Sequence, residues 1–192
     1  DSIAILNCTM IGGNFGVHYV GSNARKNYVT IDSCNITACY RGIYTNYTNG
    51  AIRHNHIKQV PNSTPQNFSG IYSNYVVGAD IDGNQVDSLA KMEYAIYLGN
   101  ASNEDYYIRN NHVRVNNGNV GVYVTGSSST NTMTGYLYNN EVILYPVSAA
   151  NSYAVQINSS NNLKLVNNSF LAKSEAPYSN SAALYISNNN KS

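Results

Sequence analysis

The sequence predicts an all-β, right-handed parallel β-helix: a solenoid of about seven coils, each built from three short strands. Three observations predict it. A six-residue pattern recurs seven times at a mean spacing of about 27 residues. A second, strand-like pattern follows each copy after a loop of variable length. The composition is rich in turn formers, with 32 Asn and 14 Gly among 192 residues, beside 18 Tyr and no Trp.

The first pattern runs Ile5 to Met10, Ile31 to Ile36, Ile52 to Ile57, Ile81 to Val86, Ile108 to Val113, Leu137 to Val142 and Leu165 to Phe170. Its first and sixth places are apolar, and its fourth place reads Cys8, Cys34, Asn55, Asn84, Asn111, Asn140 and Asn168. Apolar residues on both sides of a polar pair describe two short extended segments joined by a sharp turn, an approach segment and an exit segment. Asn and Gly at this density supply the left-handed backbone conformations that such turns use.

The second pattern is a small residue, an aliphatic residue, then alternation. Its aliphatic places are Val17, Ile43, Ile71, Ile96, Val122, Val155 and Leu184, which are expected to face the core. The places just after them read His18, Tyr44, Tyr72, Tyr97, Tyr123, Gln156 and Tyr185, and alternation turns these outward. The places just before read Gly16, Gly42, Gly70, Ala95, Gly121, Ala154 and Ala183, and strict alternation would make them a shallow outer trough. One such unit is too small to bury its own apolar face. Stacked at about 4.8 Å per rung, the units form one continuous core.

This combination, an h-x-x-N-x-h turn followed by a G-h-x-h strand, resembles the right-handed β-helix repeat of pectate lyases, polygalacturonases and phage tailspikes. The resemblance covers nearly the whole chain. It implies that the approach segment is the family's second strand, the exit segment its third, and the tyrosine-bearing segment its first. It further implies that Asn55, Asn84, Asn111, Asn140 and Asn168 stack inside the turn as a ladder of amides that both donate and accept. Cys8 and Cys34 share that column and are expected to be free thiols, with Cys39 unpaired in the loop beyond. In proteins of this fold, polysaccharide lies along the outer face of the first strand.

Composition narrows the function. A net charge of +1 with 11% charged residues leaves no basic stripe for a nucleic acid. No apolar run approaches the roughly 18 residues of a membrane span. Low charge with abundant Asn, Ser, Thr and Tyr suits an extracellular or virion-surface setting. Residues 1–192 read as a single β-helix domain without capping helices. We therefore expect a segment of a longer chain, or ends covered by another subunit, as in a homotrimer.

The outer face carries the functional expectation. His18, Tyr44, Tyr72, Tyr97, Tyr123 and Tyr185 form a candidate glycan-binding stripe, sugar faces covering aromatic rings and phenol hydroxyls bonding sugar hydroxyls. The plain alternative is that stacked aromatics stabilise the sheet or pack beneath a neighbour. Hydrolysis needs two carboxylates across a sugar bond. None lies in this column; the nearest acids are Glu93 on one flank and Glu104 with Asp105 on the other. A lyase needs a base and a cation, for which His18, Tyr44 and Arg41 are the nearest set.

On the approach strands, Asp32, Arg53, Asp82 and Arg109 read as an exposed salt-bridge ladder, with Asp80 sharing the face of Asp82. His56 and His112 share a column two rungs apart, with Gln85 between, too far to chelate one ion. No metal and no cofactor is expected. The reading that follows is a glycan-recognising tail-fibre, tailspike or adhesin segment without catalysis. A polysaccharide lyase or glycoside hydrolase is the alternative, and a purely structural fibre spacer the second.

Overall fold

Three seven-stranded sheets, every neighbouring pair parallel, stack the repeats into a solenoid. The computed structural model describes residues 2–22, 27–38, 40–60, 68–88, 92–102, 104–126, 133–146, 151–158, 162–173 and 181–187. The approach sheet contains Ser2–Leu6, Tyr28–Asp32, Asn49–Arg53, Ala79–Asp82, Tyr106–Arg109, Thr134–Tyr138 and Asn162–Val166. The exit sheet contains Thr9–Ile11, Asn35–Ala38, His56–Gln59, Gln85–Ser88, His112–Val115, Glu141–Leu144 and Ser169–Ala172. The tyrosine sheet contains Phe15–Val20, Arg41–Asn46, Phe68–Asn74, Met92–Ala101, Gly118–Gly126, Ser152–Asn158 and Ser181–Ser187. Among the described residues there is no helix.

The turn between approach and exit strands is built as the repeat predicts. Asn7, Ser33, His54, Gly83, Asn110, Asn139 and Asn167 precede the ladder positions, and all have φ between 51° and 64°. That left-handed residue reverses the chain within one step and sends the next side chain inward. Asn55, Asn84, Asn111 and Asn140 are then almost wholly buried. Asn84 is typical: its Nδ2 donates to the Ile52 carbonyl (2.8 Å) and to Asn111 Oδ1 (3.0 Å). Its Oδ1 accepts from the backbone N–H and the Nδ2 of Asn55, each at 3.0 Å. Every amide thus satisfies buried backbone groups of the preceding turn, and its own turn is satisfied by the amide that follows. Cys34 holds the same place with a weaker acceptor, taking the Cys8 N–H on its sulfur at 3.4 Å. Both thiols are free; Cys39 lies outside the described residues.

The core fills from all three sheets. On the fourth rung Ile81, Val86, Ile96 and Leu98 are each at most 1% exposed. Burial of such a side chain is worth about 1.5–3 kcal/mol, which sustains the alternation on every rung. The outermost rungs lack a neighbour on one side and expose Ile11 and Val20 at one end, and Val166 and Ile186 at the other.

The small-residue column corrects the expected trough. A Cβ on Gly42 would stand 2.3 Å from Ile57 Cγ2 and 2.6 Å from the Gly70 carbonyl oxygen. Gly16, Gly70 and Gly121 meet Ile36, Val86 and Val142 in the same way, and Ala95 and Ala154 are fully buried. The column faces inward, against the exit sheet. The strand bends there, so the small residue and the aliphatic one after it both point into the core. Close approach of two backbones is what demands Gly or Ala.

Candidate functional site

Outside the bend, the tyrosine sheet presents side chains in register. His18, Tyr44 and Tyr72 pair across adjacent strands, as do Tyr72, Tyr97 and Tyr123. Rung spacing of about 4.8 Å forces neighbouring rings into contact. Ring centroids lie 4.9 Å apart for His18–Tyr44, 5.6 Å for Tyr44–Tyr72, 4.1 Å for Tyr72–Tyr97 and 5.3 Å for Tyr97–Tyr123. Five of the six predicted residues therefore form one continuous stack. Tyr185 does not join it, because Gln156 stands in register between Tyr123 and Tyr185. Its ring stacks on Tyr153 instead, at 4.6 Å.

Ring orientation changes how the stripe works. Tyr72 and Tyr97 are parallel to within 3°, so each covers the other's face. Ring faces inside the stack are covered by their neighbours and are closed to the expected seating of sugar rings. Along its length the stack offers ring edges and hydroxyls.

A second outward column, before the bend, went unrecognised in the sequence. It includes Phe15, Arg41 and Tyr94. Phe15 stacks on His18 at 4.5 Å, and Tyr94 touches both Tyr97 and Tyr123 at 5.2 Å. The signal was present: Phe15, Tyr94 and Tyr153 each lie three residues before an outward column member.

Beyond the tyrosines runs a polar column, including Asn46, Asn74 and Asn158. Asn158 Nδ2 donates to the Tyr123 hydroxyl at 2.9 Å. Asn100 Nδ2 donates to Asn74 Oδ1 at 2.9 Å. Asn46 Oδ1 and Asn158 Oδ1 have no hydrogen-bond partner. Gly99 leaves room for Tyr97 to lean toward this column; a Cβ there would lie 2.6 Å from the Tyr97 hydroxyl oxygen.

Two of the phenols are held neutral. Burial, then the charge of Glu93, pushes Tyr94 up to about 12. Burial, then the neighbouring Tyr72, raises Tyr97 further. Near neutral pH both hydroxyls donate and accept hydrogen bonds, and neither is a ready base.

His18, Tyr44 and Arg41 do come together: the Arg41 guanidinium lies 4.8 Å from the Tyr44 ring centroid. Glu104 and Asp105, expected to flank the tyrosines, instead line a shallow groove of about 660 Å³ over the approach sheet. There Glu104 Oε2 accepts from Asn49 Nδ2 (3.2 Å), and Asp105 Oδ1 accepts from the Thr134 N–H (2.7 Å). Their loop leaves the tyrosine sheet and turns onto the next one, which carries both acids away from the stack. The sequence places loops 58–69, 87–94, 145–153 and 172–182 on one side of the tyrosine strands and 100–105 and 126–134 on the other; of these, residues 61–67, 89–91, 103, 127–132, 147–150 and 174–180 lie outside the described residues.

The approach-sheet ion pairs also differ in detail. Asp80, not Asp82, is the hub, bound by Arg53 at 2.6 Å and by Arg109 at 2.9 Å. Arg109 reaches Asp82 as well, at 3.1 Å, while Asp32 pairs with His54. Long guanidinium arms lean along the strand to the acid two residues back, a reach that register alone does not show. Partial burial works against ionisation of Asp32, but hydrogen bonds from His54 and Ser33 outweigh it and hold its carboxyl below the usual range. His56 faces Asp87 and His112 faces Glu141, with Gln85 in register between the two histidines. Among the described residues no three His, Cys, Asp or Glu side chains gather where they would hold a metal.

No curated protein and no solved structure matches the chain. A family model does, that of the periplasmic copper-binding protein NosD, over residues 1–153. That family is one of right-handed parallel β-helices, in agreement with the three stacked sheets seen here. With four-fifths of its length matched, this chain belongs to the NosD family.

Proposed function

We propose that this chain is an extracytoplasmic glycan-binding β-helix whose ligand lies along the tyrosine sheet. The observation that carries the reading is the five-ring stack from His18 to Tyr123, bordered by an asparagine column on one side. At about 4.8 Å per rung the stack is about 19 Å long. It offers a row of neutral hydroxyls beside amide groups, a set that complements the alternating donors and acceptors of sugar hydroxyls. The periplasmic description of the family supports a setting outside the cytoplasm, and nothing in it supports a virion surface.

Copper, which the family description names, does not fit the described residues. Three of the four histidines face carboxylates one by one, and His18 is stacked on Phe15 and edge-on to Tyr44. Cys34 is buried, its thiol pushed up by that burial and directed at backbone carbonyls. We derive no copper chemistry from them.

The test is a glycan array followed by titration of the polymers that bind. Tyr72→Ala and Tyr97→Ala should each weaken binding about tenfold or more, since each removes a ring and a hydroxyl from the middle of the stack. An array without a hit, or binding indifferent to both substitutions, defeats the reading.

A further inference from the structure

Resting on that glycan-binding reading, we propose that the ligand is an acidic glycan, and that Arg41 is the residue that selects it by receiving a carboxylate or sulfate. Arg41 lies against the His18 half of the stack, with its guanidinium carbon 3.9 Å from the centroid of the central ring, Tyr72, 4.8 Å from that of Tyr44 and 4.9 Å from that of Tyr40. Its Nη2 donates to the Tyr40 hydroxyl at 3.3 Å, and its Nε is buried without a hydrogen-bond partner.

The contrast with the other arginines is informative. Arg53 and Arg109 are both neutralised by Asp80. Arg41 forms no ion pair with any carboxylate among the described residues. The outward positions around it, Phe15, His18, Tyr44, Ser69 and Tyr72, contain no acid, and Glu93 belongs to a strand two rungs further along, about 10 Å away. A guanidinium held by aromatic rings keeps its planar fork in one orientation. Among the described residues only Nη2 makes a hydrogen bond, so the outer edge of the guanidinium is preorganised for an oxyanion. Such an anion, covalently part of a sugar chain lying on the hydroxyl row, would engage the cation and the stack together. His18, edge-on to Tyr44 at 4.9 Å, adds a second potential donor in the same half.

The experiment measures binding of the whole chain to dextran (neutral), polygalacturonate (carboxylate only) and dextran sulfate (sulfate only). Wild type, Arg41→Gln, Arg41→Lys and the remote control Lys164→Gln are compared, with circular dichroism to confirm folding. Wild type should prefer one or both acidic polymers over dextran by at least tenfold, and the preferred one identifies the anion. Arg41→Gln should abolish the preference, Arg41→Lys should keep part of it, and Lys164→Gln should leave it intact. Equal binding of all three polymers, or a preference that survives in Arg41→Gln, overturns the acidic-ligand proposal while leaving the glycan reading in place. Loss of preference in Lys164→Gln also overturns it, by showing diffuse attraction to polyanions. Binding to none of these polymers by wild type, together with an empty array, removes both.

Discussion

Replacing Asn84 with Ala should be among the most damaging single changes available to this chain. Asn84 is 1% exposed and sits mid-ladder. Removing its amide strips the partner from the buried Asn55 N–H and from one hydrogen of Asn55 Nδ2, and takes a donor from the Ile52 carbonyl. Each buried polar group left unpaired costs about 1–3 kcal/mol. Asn55 Nδ2 keeps its bond to Ile31 and Asn111 Oδ1 keeps the Asn84 N–H, so two groups bear most of the loss. The sum is about 2–6 kcal/mol. Asn168→Ala removes the same kind of bonds, to the Asn140 N–H, to Asn140 Nδ2 and from Asn168 Nδ2 to Leu137. There water reaches the last rung and takes their place, so the loss should be nearer 1 kcal/mol. Urea unfolding followed by far-ultraviolet circular dichroism compares the two. Asn84→Asp completes the set: it keeps the volume and the acceptor but turns a second oxygen toward the Ile52 carbonyl and Asn111 Oδ1, and should be at least as damaging as Ala. If Asn84→Ala costs less than about 1 kcal/mol, or no more than Asn168→Ala, the ladder is not what holds the turns.

Three further outcomes follow from the same geometry. Cys34→Asn should stabilise by about 1 kcal/mol, because an amide there can accept the Cys8 N–H and donate to the Ile5 carbonyl as Asn55 does to Ile31; an unchanged urea midpoint would count against this. Gly42→Ala should lower the thermal midpoint, by about 1–3 kcal/mol of stability, since its methyl meets Ile57 and the Gly70 backbone; a silent substitution would restore the outward trough. Alkaline titration should erode stability late. Tyr94 is raised from about 10 to about 12, so the unfolded chain releases its proton first; the contribution is whole below pH 10 and fades as pH climbs toward 12, which phenolate absorbance and unfolding at stepped pH would reveal together.

What the sequence showed and what it hid follow from the nature of each signal. Ladder residues were legible because a left-handed residue, a buried amide and two flanking aliphatics repeat at fixed offsets, and only one turn geometry satisfies them all. The small-residue column was misread because alternation was carried through a bend, where it fails. Its uniform Gly and Ala content was the available warning, since an exposed trough would tolerate larger residues. The tyrosine column was legible as a column. That its rings stack face to face was not, because ring tilt is set by rotamers and rung spacing rather than by residue type. Asp80 was passed over as the arginine hub for a related reason, the reach of a flexible side chain.

The inner and outer ladders differ in what the fold asks of them. Inward positions of the tyrosine sheet stay aliphatic on every rung, from Val17 to Leu184. The outward column is not so constrained: His18 begins it, and Gln156 interrupts it without disturbing the register between Tyr123 and Tyr185. A rung therefore stacks correctly without tyrosine at this place. The run from Tyr44 to Tyr123 adds stacking energy, roughly 0.5–1.5 kcal/mol per pair, yet the strand pairing does not depend on it. Arg41, which forms no ion pair among the described residues, adds little to stability beyond its contacts with the rings. Outward residues that the register does not require, gathered on one face beside a cation that forms no ion pair among the described residues, support the binding role proposed for that face.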